Sequence, residues 1–344
     1  MASHLFVRHD AAGHARYQAL KQLARSQRRI LNGAPGMLKR RTRRGTEYWV
    51  REFNQAGGRK SDEHLGTVAD VSEARRAQAQ AEIDVAKVLT AGASALRLFG
   101  YQRVERRTAA VLAALYNHDL FRAGLTLVGS HAYGALVNEY GISAPAYSTQ
   151  DIDLARRQPL EMVLPADLDF GKILGESGLE FVPVPGMPSR QPSGSFKIAG
   201  ADALSVDLLI PGKNLGKVVG VEELRTHAQE IPLLEFLVKD SIDAIAVGPN
   251  HVVPVRVPAP ERFVLHKLLS SQGRKTDREK IRKDLEQAAV LAAVIEEDTP
   301  GILKDTFGKV PASARAAIKR GAKAAAKILD SHAAATVLER IAGS

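Results

Sequence analysis

The sequence contains no cysteine, which excludes disulfide frameworks and zinc sites built on thiolates. No apolar run approaches the ~18–20 residues of a membrane helix, because Arg, Lys, Asp or Glu interrupts each one. The opening stretch, MASHLFVRHDAAGHARY, lacks the apolar centre of a signal peptide. A cytoplasmic location is therefore the expectation. A phosphate-binding P-loop is also absent, since the Gly-Lys of PGKNLGK (211–217) has the wrong spacing. No internal repeat is visible.

What is present is a chain of 344 residues, 45% of them hydrophobic. That supports a sizeable core and suggests two domains, or one with an appendage. The charge is uneven. Residues 1–60 hold 14 Lys or Arg against 3 Asp or Glu, whereas the rest of the chain holds 34 against 35. A local basic block points to a polyanionic partner, with a solvated basic face as the alternative.

Apolar spacing predicts an amphipathic helix over 14–31. Three short strands follow at 37–42, 46–53 and 60–66, broken at Arg44-Gly45 and Gly57-Gly58, and they carry Tyr48, Trp49 and Phe53. Helices are expected from Ser72, a candidate N-cap, and over 104–121. An alternating region comes next: strands at 125–129, 151–155, 179–184, 193–200, 204–211, 243–248 and 251–258, with helices at 132–141 and 166–178. Helices dominate from 260 onward. The reading is an α/β (α+β) protein divided into 1–70 (basic helix and β-module), 71–104 (connecting helix), 105–258 (the alternating α/β domain) and 259–344 (helical).

Asp151 and Asp153 in "DIDLA" lie two apart on a strand, so both side chains leave one face while Ile152 and Leu154 point into a core. Adjacent carboxylates repel unless a cation lies between them, and hard oxygen ligands suit Mg²⁺ or Mn²⁺. Asp207 in "LSVDLLIP" is a third isolated acid, which joins them if the two strands pair. Upstream, "LTLVGSHAYG" runs strand, Gly129-Ser130, helix. Glycine there allows a phosphate to approach the backbone closely. The Ser130 hydroxyl and the free N–H groups of a helix start complete an anion site.

Gly129-Ser130, then Asp151-Ile152-Asp153, then Asp207 resembles the polymerase-β-like nucleotidyltransferase superfamily over roughly 120–215. The stretch 257–291, in which Pro258-Ala259-Pro260 precedes a helix bearing Lys267, is similar to bacterial abortive-infection and minimal nucleotidyltransferase toxin-like proteins. The resemblance implies a polymerase-β-like core with a mixed sheet and a C-terminal helical domain. It also implies metal ligation and catalysis by Asp151, Asp153 and Asp207, with Asp207 nearest the acceptor hydroxyl as general base. Nucleotide contacts fall to Gly129, Ser130, Lys267 and Asp284. The activity implied is NMP transfer from an NTP to a hydroxyl, with release of pyrophosphate. The gap of 20 residues between Ser130 and Asp151 exceeds the family's usual spacing, and the excess is read as a loop over the nucleotide.

The basic strands resemble, in composition alone, the arm-type DNA-binding modules of phage integrases. Lys39, Arg40, Arg41, Arg43, Arg44 and Trp49 are the candidate nucleic-acid contacts; packing of the aromatics on the following helix is the alternative. A nucleic-acid acceptor, tRNA first and protein hydroxyls second, is therefore expected. The rivals are a non-catalytic nucleotide-sensing or nucleic-acid-binding protein on the same fold, and a regulator or antitoxin-like partner. His131, Tyr133, Tyr147, Arg156 and Arg157 are further candidates near the site, each with structural packing or plain solvent exposure as the alternative.

Overall fold

The strand Ser205–Pro211 is the axis of the molecule. Its burial alternates: Val206, Leu208 and Ile210 lie inside, while Ser205, Asp207 and Leu209 are partly exposed. One edge pairs in parallel with Asp151–Arg156. The other edge is divided between Ser195–Ile198, antiparallel, and Thr226–Ile231, parallel. Gly194 sits where those two neighbours meet, and a Cβ there would lie 2.9 Å from the Ala228 Cα. Leu125–Leu127, Val218–Val221 and Phe181–Pro183 complete a seven-stranded mixed sheet. This computed structural model describes residues 5–145, 149–156, 168–186, 192–200, 204–273, 277–329 and 332–344.

The sequence reading omits the strands Val218–Val221 and Thr226–Ile231. In the second, Ala228 is the one buried residue of a polar run, so no apolar alternation marks it. Helix Arg106–Asn117 is buried without interruption from Thr108 to Tyr116, which is why it reads as apolar all round. A second sheet is the antiparallel hairpin Ser241–Val247 with Val252–Pro258. Helices Pro260–Gly273, Arg278–Asp298, Ile302–Gly308, Ala312–Leu329 and Ala333–Gly343 follow. Gly321 lets Ala312–Leu329 approach closely, because a Cβ there would meet the Leu268 carbonyl oxygen at 2.3 Å. The fold is mixed α and β with a C-terminal helical region.

The first helix runs Ala11–Arg25 rather than to residue 31. Asn117 captures the backbone beyond it, accepting from Ile30 N at 2.8 Å and donating to its carbonyl at 2.9 Å. Tyr17, Leu20 and Ala24 pack in one cluster with Leu89, Ala93 and Leu96 of helix Glu73–Leu98 and with Ile245, Val247 and Val252 of the hairpin. Ser72 caps that long helix by accepting from Arg75 N. The three strands Met37–Arg43, Thr46–Asn54 and Lys60–Thr67 form an antiparallel sheet. Arg44 and Gly45 both have positive φ, as a two-residue hairpin turn requires. Val7–Arg8 pairs with Ser143 and Ile142, and the Arg8 guanidinium reaches Glu297 at 2.8 Å and Asp298 at 2.7 Å. No helix among the described residues is long and apolar enough to cross a membrane.

Candidate active site

A cavity of about 620 Å³ lies between the central sheet and the C-terminal helices. Asp151, Asp153 and Asp207 line its sheet side. Asp207 pairs in register with Asp153, and Ser205 with Asp151, so the three carboxylates leave one face of two adjacent strands. Burial raises the Asp153 carboxyl to about 6, and the neighbouring Asp207 charge adds to the effect. Asp207 is raised as well, again mainly by burial.

Gly129 is the first residue of helix Gly129–Glu139 rather than a linker before it. Its φ of +66° and the space around it both demand glycine: a Cβ there would fall 2.0 Å from Asp153 Oδ2. The preceding Val128 N–H donates to the Asp153 carbonyl at 2.9 Å, which ties the helix start to the acidic strand. Ser130 faces the cavity, where its hydroxyl accepts from Gln287 Nε2 at 3.4 Å.

The helical wall is cationic. Lys267 donates to Asp284 Oδ1 at 2.7 Å, and both residues are buried. Lys280 and Lys283 line the same wall, with burial and then the Lys267 charge lowering the Lys283 ammonium. Lys280, Lys283, Asp284 and Gln287 recur at helical spacing, as do Phe263, His266, Lys267 and Ser270. The sequence reading found only Lys267 and Asp284 in these two sets. The signal for the others was a helix face, which periodicity reveals without saying what it faces.

The donor set fits a divalent cation. Two partly buried carboxylates raised by burial, with further acidic charge beside each, favour a hard cation. Among the described residues no three acidic or imidazole side chains converge closely enough to enclose an ion. Asp151 instead accepts from Ser205 Oγ at 2.7 Å. Binding would require Asp151 to exchange that partner.

Other candidates lie elsewhere. His131 is buried, its ring lowered to about 4 chiefly by burial. Tyr133 is packed in the core, and Arg156 is buried against Glu223. Tyr147 and Arg157 lie outside the described residues. On the N-terminal sheet, Trp49 is flanked by the Arg40 guanidinium at 5.0 Å and that of Arg76 from the long helix at 5.5 Å. Register puts Lys39, Arg41 and Arg43 on the opposite face. Lys39 and Arg41 share Glu52 there, while Arg43 and Arg44 are exposed at the hairpin tip.

Residues 106–310 match the profile of a family described as nucleotidyltransferase. That span runs from helix Arg106–Asn117 to just past helix Ile302–Gly308, and it contains every cavity residue named here. No curated protein matches the chain significantly.

Proposed function

The chain belongs to this nucleotidyltransferase family, and from that premise we propose that it moves a nucleoside monophosphate from an NTP to a hydroxyl acceptor. One observation carries the reading. The paired Asp153 and Asp207, the Gly129-Ser130 helix start and the lysine wall share a single cavity. The acceptor oxygen bonds to the α-phosphorus as the bridge to the β-phosphate breaks. The hydroxyl proton passes to the Asp207 carboxylate, and pyrophosphate departs. Ser130, the N–H groups of the helix start, Lys267 and Lys283 orient the phosphates and balance the charge of the leaving group. Mg²⁺ or Mn²⁺ held by Asp151, Asp153 and Asp207 would supply phosphate neutralisation and a lowered acceptor pKa.

The basic block of the first 60 residues supports a nucleic-acid acceptor such as tRNA, with a protein hydroxyl second. A toxin-like or defence role rests on the Pro258-Ala259-Pro260 helix and its Lys267 alone. Residues 105–258 are read as the catalytic unit and 259–344 as its helical partner. The test is incubation of the purified protein with each α-labelled NTP, Mg²⁺ or Mn²⁺, and total RNA or cell lysate. Label should appear on a macromolecule and vanish with chelator or with Asp153→Asn. Absence of pyrophosphate release and of label with every NTP would remove the reading.

A further inference from the structure

Beyond Asp207 the cavity changes character. Leu209 stands in register with Gln229 on the neighbouring parallel strand, and Leu215, Ile231, Pro232 and Leu234 complete an apolar end. The Gln229 amide has no side-chain hydrogen bond among the described residues. Leu215 lines the cavity yet is 71% exposed. Its loop is nevertheless fixed. Glu230 accepts from Asn214 N at 3.1 Å through its carboxylate, and its backbone bonds Gly216 N at 3.1 Å and the Lys217 carbonyl at 2.7 Å. Lys213 and Lys217, both exposed, flank Leu215 at the rim.

Reaction geometry gives this end a purpose. In-line displacement puts the attacking oxygen opposite the leaving pyrophosphate. The sheet order runs from Leu125–Leu127, which leads into Gly129, through Asp151–Arg156 and Ser205–Pro211 to Thr226–Ile231. With pyrophosphate held at Gly129-Ser130, the acceptor enters across Asp207, over Leu209 and Gln229. An apolar slot bearing one amide, with lysines outside it, suits an uncharged ring whose attached chain is anionic. Resting on the transfer reading above, we propose that this end seats the 3′-terminal nucleoside of a nucleic-acid acceptor. Its base packs between Leu215 and the Ile231–Pro232 floor, the Gln229 amide reads the base edge, and the preceding phosphates pass Lys213 and Lys217. The 3′-oxygen bonds to the α-phosphorus, its proton goes to Asp207 and pyrophosphate leaves. A glutamine amide pairs best with adenine, which offers an acceptor beside a donor.

The experiment uses the full chain and short oligoribonucleotides that differ only in the 3′-terminal base, read by fluorescence anisotropy and by label transfer from an α-labelled NTP. The adenine-ended oligonucleotide should bind tightest. Gln229→Leu should weaken that one alone, by about tenfold. Gln229→Glu, an acceptor only, should move the preference to a cytosine end, an outcome that misfolding cannot imitate. Leu215→Ala should weaken all ends alike. Equal binding of all four ends by the wild-type protein overturns the proposal, as does a preference that survives Gln229→Leu. Label on protein hydroxyls with RNA left inert overturns it too. An adenine preference in binding without turnover of any NTP would keep the subsite and remove the transfer reading instead.

Discussion

Asp153 and Asp207 stand directly opposite one another on adjacent parallel strands, roughly 4.8 Å apart in backbone spacing. Neither has a cation bonded to it among the described residues, and both carboxyls are raised. A carboxyl that holds its proton more tightly folded than unfolded costs stability above its folded pKa and nothing below its unfolded one. Asp153→Asn should therefore abolish transfer yet stabilise the metal-free protein at pH 7, by on the order of 1–2 kcal/mol. Thermal melts with chelator, alongside label transfer, check both halves. A wild-type rate in this variant would take Asp153 out of the chemistry.

Gly129→Ala should be disproportionately harmful. The added methyl meets Asp153 Oδ2 and also requires a left-handed backbone that alanine disfavours. A loss of roughly 1–3 kcal/mol in stability is expected, together with weakened NTP binding. Denaturant titration and nucleotide binding measure these; a neutral variant would mean that the helix start is free to rearrange.

The buried Lys267–Asp284 pair separates structure from function. Lys267→Met removes the ammonium that donates to the buried Asp284 carboxylate and should cost about 3–5 kcal/mol. The double variant Lys267→Met/Asp284→Leu should recover much of that loss. If Lys267 also contacts phosphate, the stable double variant will still bind NTP poorly. Recovery of both stability and NTP affinity would confine Lys267 to packing.

Acid should destabilise the fold. His131, His251 and His266 are all lowered to about 4, mainly by burial. Between pH 6.5 and 4 the unfolded chain takes up protons that these folded imidazoles refuse, so stability falls with pH. Asp153, raised to about 6, works in the opposite sense over nearly the same window. Asp207, also raised, joins Asp153, and with three imidazoles against these two carboxyls the net slope near pH 5 should be on the order of 1–2 kcal/mol per pH unit. Asp153→Asn should steepen it. Chemical denaturation across that range tests the balance, and a flat profile would contradict it.

The hairpin tip offers the cleanest electrostatic test. Lys39 and Arg41 already share Glu52, whereas Arg43 and Arg44 show no ion pair among the described residues. Arg43→Gln with Arg44→Asn should flatten the log–log salt dependence of RNA binding by ~0.7–0.9 for each phosphate no longer neutralised. Lys39→Gln should change it less. Identical slopes in all the proteins would assign the basic block to solvent or to a protein partner.

Much of the candidate site was legible because its acids are local. Asp151 and Asp153 share a face by strand alternation alone, and Asp207 stands out among Val206, Leu208 and Ile210. The strand that holds Gln229 was not legible, since one buried alanine among Thr, His, Gln and Glu produces no period. Lys283 and Gln287 recur visibly with Asp284, but only packing against Pro260–Gly273 turns that face to the cavity. Arg40 and Trp49 read as part of one basic stripe with Lys39 and Arg41. Strand register divides them, and the long helix supplies the second guanidinium.

The ion pairs from Arg8 to Glu297 and Asp298 carry a consequence for the timing of synthesis. Residues near the start of the chain are clasped to the helix that bears Lys280, Lys283 and Asp284, with almost the whole sequence between them. Pairings so distant along the chain form late, because the intervening segment must first be ordered. A nascent polypeptide that has emerged only as far as Pro211 already carries all three carboxylates but neither the lysine wall nor the clasp. The cavity thus gains its helical wall only once translation has passed residue 298, and until then the acids and Gly129-Ser130 stand without the lysines that face them.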